Sequence, residues 1–166
     1  ELPPWHSGPR AKLGAVVSVN ACGNVIDPTT GEWVAGMRAT ADSDQIVDME
    51  LAAFAAAGSM QMPLDRTNTT ISCIVTNMEL TKARATKVSQ MGSNALTAHA
   101  IRPTHTTNDG DTIYTLASGK LGAQASAAVP LDLLGMLAVR ALEAAIVNGA
   151  KTAKTSHGIP RRREVN

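Results

Sequence analysis

The chain has 166 residues, 44% of them hydrophobic, enough for one domain with a core of its own. Aromatic residues make up only 2%, so that core must be built from Ala, Val, Leu, Ile and Met. A net charge of +1 gives no electrostatic reason to expect nucleic acid or an anionic membrane as a partner, and the basic run Arg161-Arg162-Arg163 reads as a solvated tail.

Taken in order, residues 1–12 read as irregular, with Pro3-Pro4 and Gly8-Pro9. Leu13 to Val19 (LGAVVSV) has the apolar, β-branched pattern of a buried strand. Asn20-Ala21-Cys22-Gly23 breaks it, Asn24 to Asp27 resumes extended structure, and a turn over 28–31 leads to a short return strand at 32–35. Residues 43–57 predict a helix capped by Ser43 or Asp44 and ended by Gly58. The segment 62–67 reads as an exposed loop before a second β-branched strand, Ile71 to Thr76. Leu80 to Ala100 has helical periodicity, weakened at Gly92 and ended by Arg102-Pro103. A polar loop over 104–111 leads to an alternating strand, 112–117, and the small-residue stretch 118–128 reads as loop. The last helix begins near Pro130, carries the stripe Leu133, Leu134, Leu137, Ala141, Leu142, Ala145 and Ile146, and has Gly149 at its expected cap; 150–166 reads as a tail. No apolar run reaches transmembrane length and no signal peptide precedes the fold. The start at Glu1 rather than Met suggests a fragment or a processed chain. Cys22 and Cys73 read as small core residues rather than a disulfide or metal site, which makes a reducing, cytoplasmic setting the expectation.

Three polar groups stand at the ends of apolar strands. Asn68-Thr69-Thr70 sits where a loop enters a strand. It is either an Asx or Ser/Thr turn or a self-cleavage point, after which Thr69 is a new N-terminus with its hydroxyl as nucleophile and its α-amine as base. Asp109-Gly110-Asp111 is either a turn before a strand or a carboxylate pair that holds a cation, an ammonium group included. Asn20 is either a strand-end turn residue or a side-chain amide that donates to a developing oxyanion. The histidines at 6, 99, 105 and 157 lack metal-ligand spacing. His105 is close to Asp109 and can line the site, although stabilising the loop is the plainer role. Ser72 and Cys73 lie inside a strand and read as core or network residues.

Together, NTTISCIVTN, the helix after it, IRPTHTTNDGDTIYTLASG and the upstream GAVVSVNACGNVIDPTTGEW resemble the L-aminopeptidase/D-esterase family of self-processing N-terminal-nucleophile hydrolases. The member type they look most like is the nylon-oligomer (6-aminohexanoate-oligomer) endohydrolase. The resemblance runs from about Leu13 to Ala150 and implies an α/β (α+β) fold, an αββα sandwich to which this chain supplies the C-terminal part. It implies a single domain over 1–166 cleaved between Asn68 and Thr69, with 1–68 ending the α-chain portion and 69–166 forming the β-chain portion. Thr69 matches the nucleophile, Asn20 the oxyanion-side asparagine, and Asp109 and Asp111 the acidic pair that positions the nucleophile. The implied activity is hydrolysis of peptide-like or nylon-oligomer amides without cofactor or metal, by a homo-oligomer of processed heterodimers, with neither nucleic acid nor membrane as partner. Family members carry a long N-terminal portion with a site lysine, which has no match here, so a missing N-terminal portion or second chain is expected. Two rivals stand beside this reading: acyl transfer of the ornithine-acetyltransferase type, and an inactive assembly subunit.

Overall fold

A computed structural model describes residues 10–40, 43–57 and 68–157. Its centre is a three-stranded sheet in the order β1-β4-β6. β1 is Leu13–Asn20, β4 is Thr69–Thr76 and β6 is Thr112–Ala117. β1 runs antiparallel to β4, while β6 runs parallel to it. A parallel neighbour requires a crossover, and here the chain makes it through α2 (Lys82–Gly92) and a π-helical turn (Ala95–Ala100). A second sheet, β3-β2-β5, joins the hairpin β2 (Asn24–Ile26) and β3 (Trp33–Ala35) to β5 (Ile101–Arg102). The mixed α+β class expected from the sequence is therefore the class observed.

α2 and the 22-residue α4 (Leu131–Thr152) cover one face of the central sheet. Ile74, Val88, Leu96, Leu134, Leu142 and Ile146 are buried between them. The opposite face is open. Its residues alternate with the core-facing ones, and Val16, Ile71, Tyr114 and Leu116 are 70%, 51%, 58% and 59% exposed. β1 is thus not the fully buried strand expected; only Leu13, Ala15, Val17 and Val19 pack toward the core.

The helix expected over 43–57 is shorter, Met49–Ala55 (α1), and its cap is Asp48 rather than Ser43 or Asp44. Residues 45–47 cannot join it, because their backbone is used elsewhere. Ala39 N–H donates to Gln45 O, Val47 N–H to Met37 O, and Arg38 bridges Ile46. Buried Asn24 locks that loop, accepting from Met37 N–H at 3.1 Å and donating to Val47 O at 2.6 Å. The helix expected over 80–100 is divided. α2 stops at Gly92, where a Cβ would lie 2.9 Å from Ile74 Cδ1, and the rest winds as the π-helical turn. The stretch 118–128 contains a five-residue helix, α3 (Ala123–Ala127).

Gly149 lies inside α4 instead of capping it. By length and composition α4 is long and apolar enough to cross a membrane, which corrects the expectation that no apolar run reaches that length. Its buried stripe on the sheet is that of a core helix. Its buried Glu143 is partnered by His99 of the π-helical turn and by Arg140 at 3.1 Å. The loop expected over 62–67 and the basic run 161–163 lie outside the described residues.

Candidate active site at the start of β4

Strand register brings the first two groups together. Asn20, the last residue of β1, is the Cα partner of Thr69, the first residue of β4. Opposed residues on neighbouring strands project to the same side. Both therefore belong to the open face, in line with Val16 and Ile71.

The third group arrives by extension of the β4–β6 ladder. Asn68 and Asp109 form a parallel bridge just upstream of it, and Gly110 N–H donates to Asn68 O at 2.9 Å. The same carbonyl oxygen accepts the Thr69 hydroxyl at 2.6 Å. The Asn68–Thr69 peptide thus has two donors on its carbonyl, one of them the hydroxyl of the residue that follows it. Gly110 faces Thr69 across the ladder, and a Cβ there would stand 2.9 Å from Thr69 Oγ1. The glycine between two acids is a steric requirement of this approach.

The acids lie beside Thr69 rather than on it. Among the described residues no hydrogen bond joins either carboxylate to Thr69. Asp111 Oδ1 accepts Thr70 N–H at 2.7 Å, fixing the backbone one residue downstream. Its Oδ2 accepts the Thr104 hydroxyl at 2.7 Å and His105 N–H at 3.1 Å, with His105 Nδ1 at 2.9 Å. Burial works against the charge on Asp111, but the donors from Thr104, Thr70 and His105 and the His105 charge outweigh it and hold the carboxyl below its usual range. Asp109 Oδ2 accepts both the backbone N–H of Thr106 at 3.0 Å and its hydroxyl at 2.6 Å. Burial, then the Asp109 charge, raises the pKa of the nearby Cys22 thiol.

All four side chains singled out in the sequence, Asn20, Thr69, Asp109 and Asp111, meet at this end of the sheet, with Asn68 between them. Sequence reasoning missed Gly110, Thr104 and Thr106. The signal available was a run of hydroxyls just ahead of two carboxylates flanking a glycine. Thr70 and Ser72 are fully buried beneath the site, and their hydroxyls have no partner among the described residues. A cleft of about 1560 Å³ opens beside Asn20, walled by Cys22, Trp33, Met37 and Met49; Thr69 does not line it. Among the described residues no three His, Cys, Asp or Glu side chains converge as metal ligands would.

Comparison with known proteins assigns the chain to a family. The chain is 34% identical over 165 residues to an uncharacterised aminopeptidase of Mycobacterium leprae, an alignment covering 93% of this chain and 44% of that protein. An uncharacterised aminopeptidase of Mycobacterium tuberculosis is 32% identical over 172 residues, covering 92% of this chain and 47% of its own length. The chain thus spans less than half the length of these relatives. The pattern of peptidase family S58 matches residues 4–163, and the chain belongs to that family.

Proposed function

We propose that the protein is a self-processing amide hydrolase whose nucleophile is Thr69, released as an N-terminus by cleavage of the Asn68–Thr69 bond. The observation that carries the reading is the Asn68 carbonyl, held by Gly110 N–H at 2.9 Å and touched by Thr69 Oγ1 at 2.6 Å. In the cleavage step Thr69 Oγ1 attacks the Asn68 carbonyl carbon. The oxygen that becomes negative already faces Gly110 N–H, a preorganised donor. The C–N bond breaks, the Thr69 nitrogen takes the hydroxyl proton and becomes an amine, and Asn68 is left as an ester on Oγ1. Water hydrolyses the ester and frees both groups of Thr69.

In the mature enzyme the Thr69 amine takes the hydroxyl proton as Oγ1 attacks a substrate amide, and it returns that proton to the leaving amine. Asn20, directly across the strand pair, donates to the substrate oxyanion. Asp109 and Asp111 position the new terminus, Asp111 through Thr70 N–H. This chemistry requires no cofactor. The substrates are peptide-like amides, in keeping with the aminopeptidase relatives. The threonine at the nucleophile position and the likeness of NTTISCIVTN to the nylon-oligomer type narrow them to short linear oligoamides. The working enzyme includes the portion preceding this chain and assembles as an oligomer of processed heterodimers. Two free, half-buried cysteines fit a cytoplasmic setting.

Intact mass of the full-length protein under denaturing conditions tests the reading. The expected result is two species, one ending at Asn68 and one beginning at Thr69, and a single species for Thr69→Ala with no amide hydrolysis. Processed, active Thr69→Ala protein would overturn it.

A further inference from the structure

We infer that the cleft beside Asn20 is the acyl-chain subsite: it takes an aliphatic chain carried by the scissile carbonyl, and Trp33, Met37 and Met49 are the residues that select it. The inference rests on the proposed roles of Thr69 as nucleophile and Asn20 as oxyanion donor, and it names the part of the substrate that this cleft reads.

The cleft starts at the candidate site. Asn20 is one of its walls and is also the Cα partner of Thr69, and such partners lie about 4.5–5.5 Å apart across an antiparallel pair. Cys22 is a second wall within reach of the acids: burial raises its thiol pKa, and the Asp109 charge raises it further. A carbonyl oxygen held by the Asn20 amide belongs to the acyl group, so the acyl group is the part of the substrate brought to the mouth of the cleft. Thr69 does not line it, and a chain on that carbonyl enters without displacing the nucleophile.

The walls offer apolar contact and are held in place. The chain has only two Trp, one Tyr and one Phe, and none of the three described enters the core. Phe54 and Tyr114 are exposed elsewhere, whereas Trp33 is half-buried in the cleft wall. An aromatic kept out of the core and set in a concave wall is a contact surface for a ligand. Met37 and Met49 add unbranched, adaptable side chains to the same cleft. Fully buried Asn24 fixes the segment between them, accepting from Met37 N–H at 3.1 Å and donating to Val47 O at 2.6 Å. Gly36 admits that amide, since a Cβ there would lie 2.4 Å from Asn24 Oδ1. The volume of about 1560 Å³ exceeds the roughly 300–1,000 Å³ of a site for one small molecule, as an extended chain requires. Apart from His157 the charges along the cleft balance, Glu32 and Asp44 against Arg38 and Lys154, so they favour no charged chain.

The test uses the full-length protein with Trp33→Ala and Met37→Ala. The substrates are the 4-nitroanilides of L-alanine and L-norleucine, whose acyl groups differ by three methylenes, and L-alanine amide against L-alanine hexylamide, which differ only in the leaving amine. Cleavage at Asn68–Thr69, read by mass spectrometry, needs no substrate in the cleft and reports that each variant folds. In the wild type, kcat/KM for norleucine should exceed that for alanine by about thirtyfold or more, as burial of three methylenes dictates. Each variant should lower that ratio by about fivefold or more and leave the hexylamide-to-amide ratio within about twofold of wild type. A wild type that does not prefer norleucine, variants that lose equally on both anilides, or a change confined to the hexylamide ratio would overturn the inference while leaving Thr69 in place. If Trp33→Ala is not cleaved, Met37→Ala carries the comparison, and loss of cleavage in both would overturn the inference by making these side chains part of the fold. A wild-type protein that is never cut at Asn68–Thr69 would overturn the nucleophile assignment and this inference with it.

Discussion

A methyl group on Gly110 would stand 2.9 Å from Thr69 Oγ1, closer than non-bonded carbon and oxygen settle. Thr69 is β-branched and its χ1 is stiff, so relief means turning the hydroxyl off the Asn68 carbonyl. Gly110→Ala should therefore slow the proposed self-cleavage about tenfold or more while leaving the urea midpoint close to wild type, because the strand is otherwise undisturbed. A time course of chain cleavage checks it, and an unchanged rate would separate Gly110 from the reaction. Asp111 makes the opposite case, in which stability moves as well. Asparagine still accepts Thr70 N–H, but its NH₂ meets His105 N–H, donor against donor, at a buried position. Asp111→Asn should cost about 1.5–3 kcal/mol in urea unfolding at neutral pH. The pH dependence has a definite sign. The folded-state pKa of Asp111 lies below its ordinary value, so its contribution is full above the ordinary range of about 4 and is lost as pH falls through the depressed native value. The gap between wild type and Asp111→Asn should narrow on acidification below about pH 4. Asp27 is also depressed, chiefly by its hydrogen bond with Lys151, but it is common to both proteins and cancels in the difference. A gap constant with pH would show that the carboxylate charge is not what holds the loop.

α4 carries a matched pair of glycines that separates intrinsic propensity from packing. Gly149 has open space where a Cβ would go, whereas a Cβ on Gly135 would lie 2.3 Å from the Met91 thioether of α2. Both lie inside the helix, where alanine is favoured by about 1 kcal/mol. Gly149→Ala should raise stability by about 0.5–1 kcal/mol. Gly135→Ala should forfeit that gain in moving Met91, and equal stabilisation of the two in thermal unfolding would contradict the packing assigned to Gly135. The same contrast explains what was legible in the sequence. β1, β4, β6 and α4 announce themselves through β-branching or a long apolar stripe. Local pattern fails where tertiary structure claims the backbone. Residues 45–47 have helical composition but pair with Met37 to Ala39, and the helical run after Leu80 passes from α to π winding beyond Gly92, a change that composition does not announce. The site was legible as three separate groups, but their convergence was not read from periodicity. Thr70 and Asp111 are 41 residues apart, and only the parallel pairing of β4 with β6 makes them neighbours. The family resemblance supplied that link, and it was silent on the close approach of Gly110 and on the Thr104 and Thr106 hydroxyls that hold the two acids.

At the scale of the molecule, the open face of the central sheet is the dominant unbalanced feature. Val16, Ile71, Val75, Tyr114 and Leu116 form a contiguous apolar surface, and Thr69 and Asn20 lie at its edge. Large exposed apolar patches mark places where something else binds, and more than half the length of the mycobacterial relatives lies outside the match to this chain. The portion proposed above to precede this chain is expected to cover the face, completing a sandwich and enclosing Thr69 between its layers. Cys73 reports on this directly. It lies on the open face, paired in register with Val16 on one side and Tyr114 on the other, and it is free. In a Cys22→Ser background, a maleimide should label Cys73 readily in the 166-residue chain and at least about tenfold more slowly in the full-length protein, as burial of a thiol dictates. Intermediate protection would mean that the covering layer opens on the labelling timescale. Equal labelling of the two proteins would mean that the preceding portion packs elsewhere.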